Sequence, residues 1–319
     1  MKSSGIGGQA VMEGIMMKNG DAYAVAVRRE DGKIDIEKGE YKSITGGRGP
    51  AEWPFIRGPF RFVDSLILGM KALTISASFA ELLVEESEAN QEKAEKKPSF
   101  WERKLSPETI EKLTMGVAVV LAIFMSVGLF MVLPVFLAGL FRGVIDSPLG
   151  IAILEGVGRV AMFVGYVSLI SLMKEIRRLY MYHGAEHKCI SCIEAGLPLT
   201  VENVRKSSKE HKRCGTSFML FVMMVSIFVS IFIRTDTLWL RALTRLCFLP
   251  VVVSLSYEFI RLAGNSDGFL PSLLSKPGLW LQGLTTKEPD DDMIEVAIAA
   301  VEAVFDWKSW QETELEKSA

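Results

Sequence analysis

Apolar residues along this chain are gathered into long blocks rather than spread evenly. From Leu113 to Phe141 no charged residue interrupts the run, which exceeds the roughly 20 residues needed to cross a bilayer. A second block, Pro148 to Met173, is broken only by Glu155 and Arg159, and a third runs from Gly215 to Ile233. The fourth, Leu246 to Tyr257, is short, and spans only if Glu258 and Arg261 reach an interface. These blocks predict an integral membrane protein, mainly α-helical, built as a bundle of about four transmembrane spans. Phe60–Val84 has helical periodicity but carries Arg61, Asp64, Lys71 and Glu81, so it is expected to lie in the interface, with a fifth span as the alternative.

Elsewhere the period changes. Val11–Met17, Ala22–Arg29 and Lys33–Glu37 read as three strands of a small amino-terminal β-meander, separated by Asn19-Gly20 and Asp31-Gly32, dipeptides suited to tight hairpins. Residues 1–58 thus form a β element and connector, 59–84 the interfacial helix, and 85–112 a charged flexible linker. The first two spans fall in 113–173, a His- and Cys-rich loop in 174–215, the last two spans in 216–262, and a tail in 263–319. Helical character is expected to run on from the second span into the loop. In the tail an amphipathic helix is expected from Met293 to about Trp310, after acidic residues Asp290, Asp291 and Asp292 that suit a helix amino terminus.

The composition fits this segregation: 23% of the 319 residues are charged, yet the mean hydropathy is +0.27. Met1–Gly20 lacks the apolar core of a secretory signal. The loop from Lys174 to Gly215 carries nine Lys or Arg, against one in Arg142–Ser147. Basic loops favour the cytoplasmic side, so a cell-membrane, multi-pass topology is expected with both termini and the His/Cys loop cytoplasmic. The basic residues of that loop suit anionic lipid; with no aromatics interleaved among them, nucleic acid is not an expected partner.

All three histidines and three of the four cysteines lie between His183 and Cys214. His183, Glu186 and His187 form an H-x-x-E-H pattern, and residues four apart share a helix face. The two imidazoles can then hold one divalent metal, zinc being the expected ion, with Glu186 as the catalytic proton acceptor. Spacing leaves the third ligand open among His211, Cys214, Glu258 and, more remotely, Glu13. A competing pattern, Cys189-x2-Cys192 with His211-x2-Cys214, suits a closed structural zinc site. A third reading has no metal, with the histidines hydrogen-bonded and the cysteines packed. Glu155 and Arg159, four apart in the second span, read as a self-neutralising pair or, in a transporter, as an ion relay.

Four blocks carry a resemblance: Gly7-Gly8-Gln9-Ala10-Val11-Met12-Glu13-Gly14, Tyr182-His183-Gly184-Ala185-Glu186-His187-Lys188, His211-Lys212-Arg213-Cys214-Gly215-Thr216-Ser217-Phe218, and Trp280 to Asp290. They resemble the bacterial YqhQ family, multi-pass membrane proteins of unknown function spoken of as predicted metal-dependent enzymes. The resemblance implies a cytoplasmic-membrane location and a site of His183, Glu186, His187, His211 and Cys214. It places Gln9 and Glu13 as groups bordering the site. Cys189 and Cys192 depart from the family pattern, which weakens the structural-zinc reading. The expected activity is metal-dependent hydrolysis of a peptide, lipid-linked or small-molecule substrate. A scaffold with a structural metal, or an ion transporter, are the alternatives.

Overall fold

The computed structural model describes residues 3–88, 107–232, 237–264 and 268–318. The chain is mostly helical and divides into two compact units. One comprises residues 1–83, 166–226 and 248–319, the other 84–165 and 227–247.

The first unit begins with a four-stranded antiparallel meander: β1 (Gly7–Val11), β2 (Gly14–Asn19), β3 (Ala22–Arg28) and β4 (Ile34–Glu40), in that spatial order. The expected strand Val11–Met17 is therefore broken. Val11 pairs with Gly14 across a two-residue turn of Met12 and Glu13, and Glu13 adopts a φ of 49°. Gly14 is required there, because any Cβ would fall on the Ala26 carbonyl of β3. β1 escaped the alternation rule because its first two residues are glycines, which carry no polarity pattern.

Alternation then sorts the sheet's faces. Val11, Met16, Tyr23, Val25 and Val27 point to one side and bury Leu68, Ala72 and Ile75 of helix α1 (Arg57–Glu88). Ile15, Met17 and Ala26 point to the other, against α5 (Lys174–Glu194) and α10 (Asp291–Val304). α10 presents Met293, Ile294, Val296, Ala297, Ala300 and Val301, a full apolar stripe at helical spacing. The amphipathic tail helix ends earlier than expected. Phe305 turns extended into the core, and Asp306 caps a separate α11 (Trp307–Ser318) by accepting from the Ser309 N–H at 3.1 Å and the Ser309 hydroxyl at 2.7 Å.

Between these lie α2 (Pro107–Val127), α3 (Leu133–Gly139) after a widened π-turn at Gly128–Val132, and α4 (Pro148–Ile170). The π-turn immediately precedes Pro134, whose ring and missing N–H disturb a regular helix. α6 (Val201–Lys206), α7 (Gly215–Phe232), α8 (Leu238–Gly264) and α9 (Phe269–Thr285) are the remaining α-helices among the described residues. α9 carries Pro277 in its interior and follows no pattern that the sequence made legible. The expected continuity from the second span into the loop fails at Ser171–Met173: Met173 turns extended, and α5 starts afresh at Lys174. Of the expected linker 85–112, residues 89–106 lie outside the described residues, whereas 85–88 and 107–112 are helical.

Among the described residues, five helical stretches are long and apolar enough to cross a membrane: Arg57–Phe79, Leu113–Gly139, Pro148–Ile170, Gly215–Phe232 and Leu243–Gly264. Within the second unit, Glu155 bridges two arginines: Arg159 at 2.8 Å on its own helix and Arg245 of α8, whose second nitrogen donates at 3.0 Å. Arg245 is thus turned inward to a buried carboxylate.

Candidate metal centre

α5 carries the H-x-x-E-H residues at its middle, and its helical spacing brings His183 and His187 edge to face with ring centroids 4.4 Å apart. Each imidazole is fixed by a backbone carbonyl. His183 Nδ1 donates to the Thr285 oxygen at 2.9 Å, at the carboxyl end of α9, where carbonyls lack helical partners. His187 Nδ1 donates to the Lys209 oxygen at 2.7 Å. A carbonyl only accepts, so each ring carries a proton on Nδ1 and turns its Nε2 to the site. Metal-binding histidines are usually held by this kind of second hydrogen bond.

Cys214 completes the group. Its Sγ lies 3.3 Å from His183 Nε2, and the donor atoms of His183, His187 and Cys214 all lie within 4.8 Å of one another. Tetrahedral zinc with Zn–N near ~2.05 Å and Zn–S near ~2.3 Å separates adjacent donors by about 3.3–3.6 Å. The three residues could therefore hold a metal ion as a His2Cys set. Cys214 sits just before α7, and the Thr216 N–H points at its sulfur from 3.4 Å. Burial alone would raise this thiol's pKa; the two imidazoles overcome burial and hold it well below the usual range. Burial likewise opposes charge on His183, yet the Cys214 thiolate pushes its pKa up to about 9.

Glu186 is buried and lies on the same wall, facing β1. A Cβ at Gly8 would stand 3.0 Å from its carboxyl carbon and 2.5 Å from Met17 Sδ, so glycine is what lets sheet and carboxylate meet. Gly184 has the same role on the next face of the helix. A side chain there would fall on the Lys287 carbonyl, in the segment that places the Thr285 oxygen over His183. That segment is tied down by Lys287 N–H to the Tyr180 oxygen (2.9 Å), and Glu288 is held by Lys188 (3.0 Å) and Lys209 (3.1 Å).

The other candidates are placed as follows. His211 borders the same small cavity of about 120 Å³, but its Nε2 is turned to Glu194 at 3.7 Å, and its backbone is clamped by Gln282 through bonds of 2.9 and 2.7 Å. Glu258 is bound by Arg57 through two bonds of 2.6 and 2.5 Å. Glu13 is paired with Arg178 at 2.6 and 2.5 Å and touches the Tyr182 hydroxyl at 3.3 Å. Gln9 packs against Gly69 and lines a larger cavity of about 570 Å³ that also contains His183, Glu186 and Cys214. Cys189 and Cys192 lie in the hydrophobic core beside α10, and burial raises both thiols. Sequence reasoning missed Gln282, Gly184 and the Thr285 and Lys209 carbonyls. The glycine inside H-G-A-E-H was the one available signal, since an interior helical glycine needs a reason.

A family model described as "Protein of unknown function (DUF1385)" matches residues 53–307. The chain is also 39% identical over 294 residues to "Uncharacterized protein YqhQ" of Bacillus subtilis (strain 168), covering 92% of this chain and 89% of that protein. No solved structure matches. Over four-fifths of its length in the one case and nine-tenths in the other, the chain is therefore a member of the DUF1385 family, to which it belongs together with its YqhQ relative.

Proposed function

We propose that this protein is an integral membrane, metal-dependent hydrolase whose site faces the cytoplasm. The observation that carries the reading is the convergence of three donors, half-buried His183 with buried His187 and Cys214, beside the buried carboxylate of Glu186. A zinc ion bound there supplies Lewis acidity, which makes water nucleophilic near neutral pH. The chain's own residues do the rest. The Thr285 and Lys209 carbonyls hold both rings in one tautomer, and Glu186 takes the proton of the attacking water and returns it to the leaving group.

Topology supports the placement. The sheet, α5 and α10 share one core, so residues 7–40, 174–194 and 291–304 lie on one side of any membrane. An even number of crossings must then separate β4 from α5. Among the described residues three apolar helices occupy that interval, and α1 is the one whose middle is covered by the sheet. α1 is accordingly read as interfacial, leaving four spans and both termini on the side marked cytoplasmic by the nine basic residues of 174–215.

A second reading uses the same atoms without metal: Cys214, a thiolate at a helix amino terminus beside an imidazolium, acts as a covalent nucleophile. Elemental analysis of detergent-purified protein separates the two. About one zinc per chain, retained in Glu186→Gln but lost in His183→Ala/His187→Ala and in Cys214→Ser, supports the metal site. Metal-free wild type after zinc supplementation refutes it, and rapid alkylation of Cys214 in that protein would favour the thiolate.

A further inference from the structure

The sheet has an open edge, and it opens onto the candidate site. β1 is an outer strand of the sheet. Its hydrogen-bonding phase follows from its neighbours. The Arg28 N–H donates to the Glu13 oxygen at 2.9 Å, and Asn19 pairs with Ala22 across a two-residue turn, so odd-numbered residues of β2 bond to β3. Even-numbered residues of β2 are left to bond β1, and their partners there are Gly7, Gln9 and Val11. Gly8 and Ala10 are the alternate positions, whose N–H and C=O point away from the sheet. Among the described residues no hydrogen bond engages those four groups.

Both residues line the cavity of about 570 Å³. α1 contributes Phe62 to its wall, α7 contributes Phe218 and Met219, and α8 contributes Ile260, so the space in front of the edge is largely apolar. Glu186, His183 and Cys214 border the same space. A strand edge with free donors and acceptors, an apolar trough in front of it and a hydrolytic carboxylate at Gly8 are complementary to an extended polypeptide. A lipid chain would use the trough but leave the edge unsatisfied.

Resting on the hydrolase reading, we propose that the substrate is a polypeptide segment, bound in extended form as a fifth strand on β1. The Gly8 and Ala10 backbones hold it, apolar side chains enter the trough, and the scissile peptide bond lies beside Glu186. Water is the co-reactant. Its oxygen bonds to the peptide carbonyl carbon, the C–N bond breaks, and the proton accepted by Glu186 passes to the departing amine.

The test uses full-length protein in detergent micelles with bound zinc. Cleavage of a proteome-derived peptide library is followed by mass spectrometry, with Glu186→Gln as the blank. Ala10→Pro removes an outward N–H that the β1–β2 ladder does not use, and edge strands tolerate proline. Loss of about one backbone hydrogen bond predicts a rise in KM of roughly tenfold for peptides, with zinc content unchanged. Unchanged peptide cleavage by Ala10→Pro overturns the proposal. If that variant misfolds, hydrogen exchange in Glu186→Gln decides. A library peptide cut by the wild type must slow exchange at Gly8 and Ala10, and unchanged exchange overturns the proposal. Glu186-dependent hydrolysis of liposomal lipid esters with no peptide cut overturns the strand-docking proposal and leaves the hydrolase standing. Neither substrate cut, with no zinc bound, removes both.

Discussion

Gly184→Ala should damage the site from a position that carries no functional group. The added methyl would fall on the Lys287 carbonyl, well inside van der Waals contact, and the obstacle is backbone rather than a flexible side chain. To admit it, residues 285–288 must move off α5. That strains or breaks the Lys287–Tyr180 bond of 2.9 Å and the His183–Thr285 bond of 2.9 Å. Overpacking costs about 1–3 kcal/mol and each hydrogen bond about 1 kcal/mol, against a gain of under ~1 kcal/mol from alanine's helix propensity. The net loss is about 2–4 kcal/mol, a fall in the apparent melting temperature of roughly 5–10 °C. Freed from Thr285, His183 should also bind zinc about tenfold more weakly. Gly283→Ala in α9 is the control, since a Cβ there meets nothing within 4 Å, and it should be neutral or slightly stabilising. Thermal unfolding in detergent with a competitive zinc-chelator titration measures both effects. A Gly184→Ala protein that melts and binds zinc like Gly283→Ala would refute the reasoning.

Two other outcomes follow from the same geometry. Cys189→Ala/Cys192→Ala should keep full zinc content while losing about 1–3 kcal/mol of stability from small core cavities, so loss of metal in that variant would restore the closed cysteine site. Burial tends to raise the Glu194 pKa, but His211, Arg213 and Ser4 override it and lower it from 4.5 to about 2. A depressed carboxylate stabilises the fold above its unfolded pKa, so stability present above pH ~5 should be lost as pH falls toward 2. Denaturation curves against pH should flatten over that window in Glu194→Gln, and parallel curves would contradict the assignment.

Much of the architecture was legible because it depends on local periodicity. A charge-free block such as 113–141 signals an apolar helix without reference to any other part of the chain. The four-residue spacing of His183 and His187 places both rings on one face of whatever helix contains them, and the apolar stripe of α10 declares its buried side in the same way. What the sequence could not rank was the third donor. Cys214, His211 and Glu258 all carry side chains that can ligate zinc. Packing separated them, because Arg57, 201 positions away in sequence, pairs with Glu258, Glu194 turns His211 aside, and only Cys214 reaches His183. β1 was hidden for a related reason: its glycines have no side chains to alternate, and their meaning lies in how closely Glu186 approaches. Helix and strand periods are properties of a few consecutive residues and survive in a string of letters. Close approach, ion-pair choice and an open sheet edge are distances between segments far apart in the chain, and those exist only once it is folded.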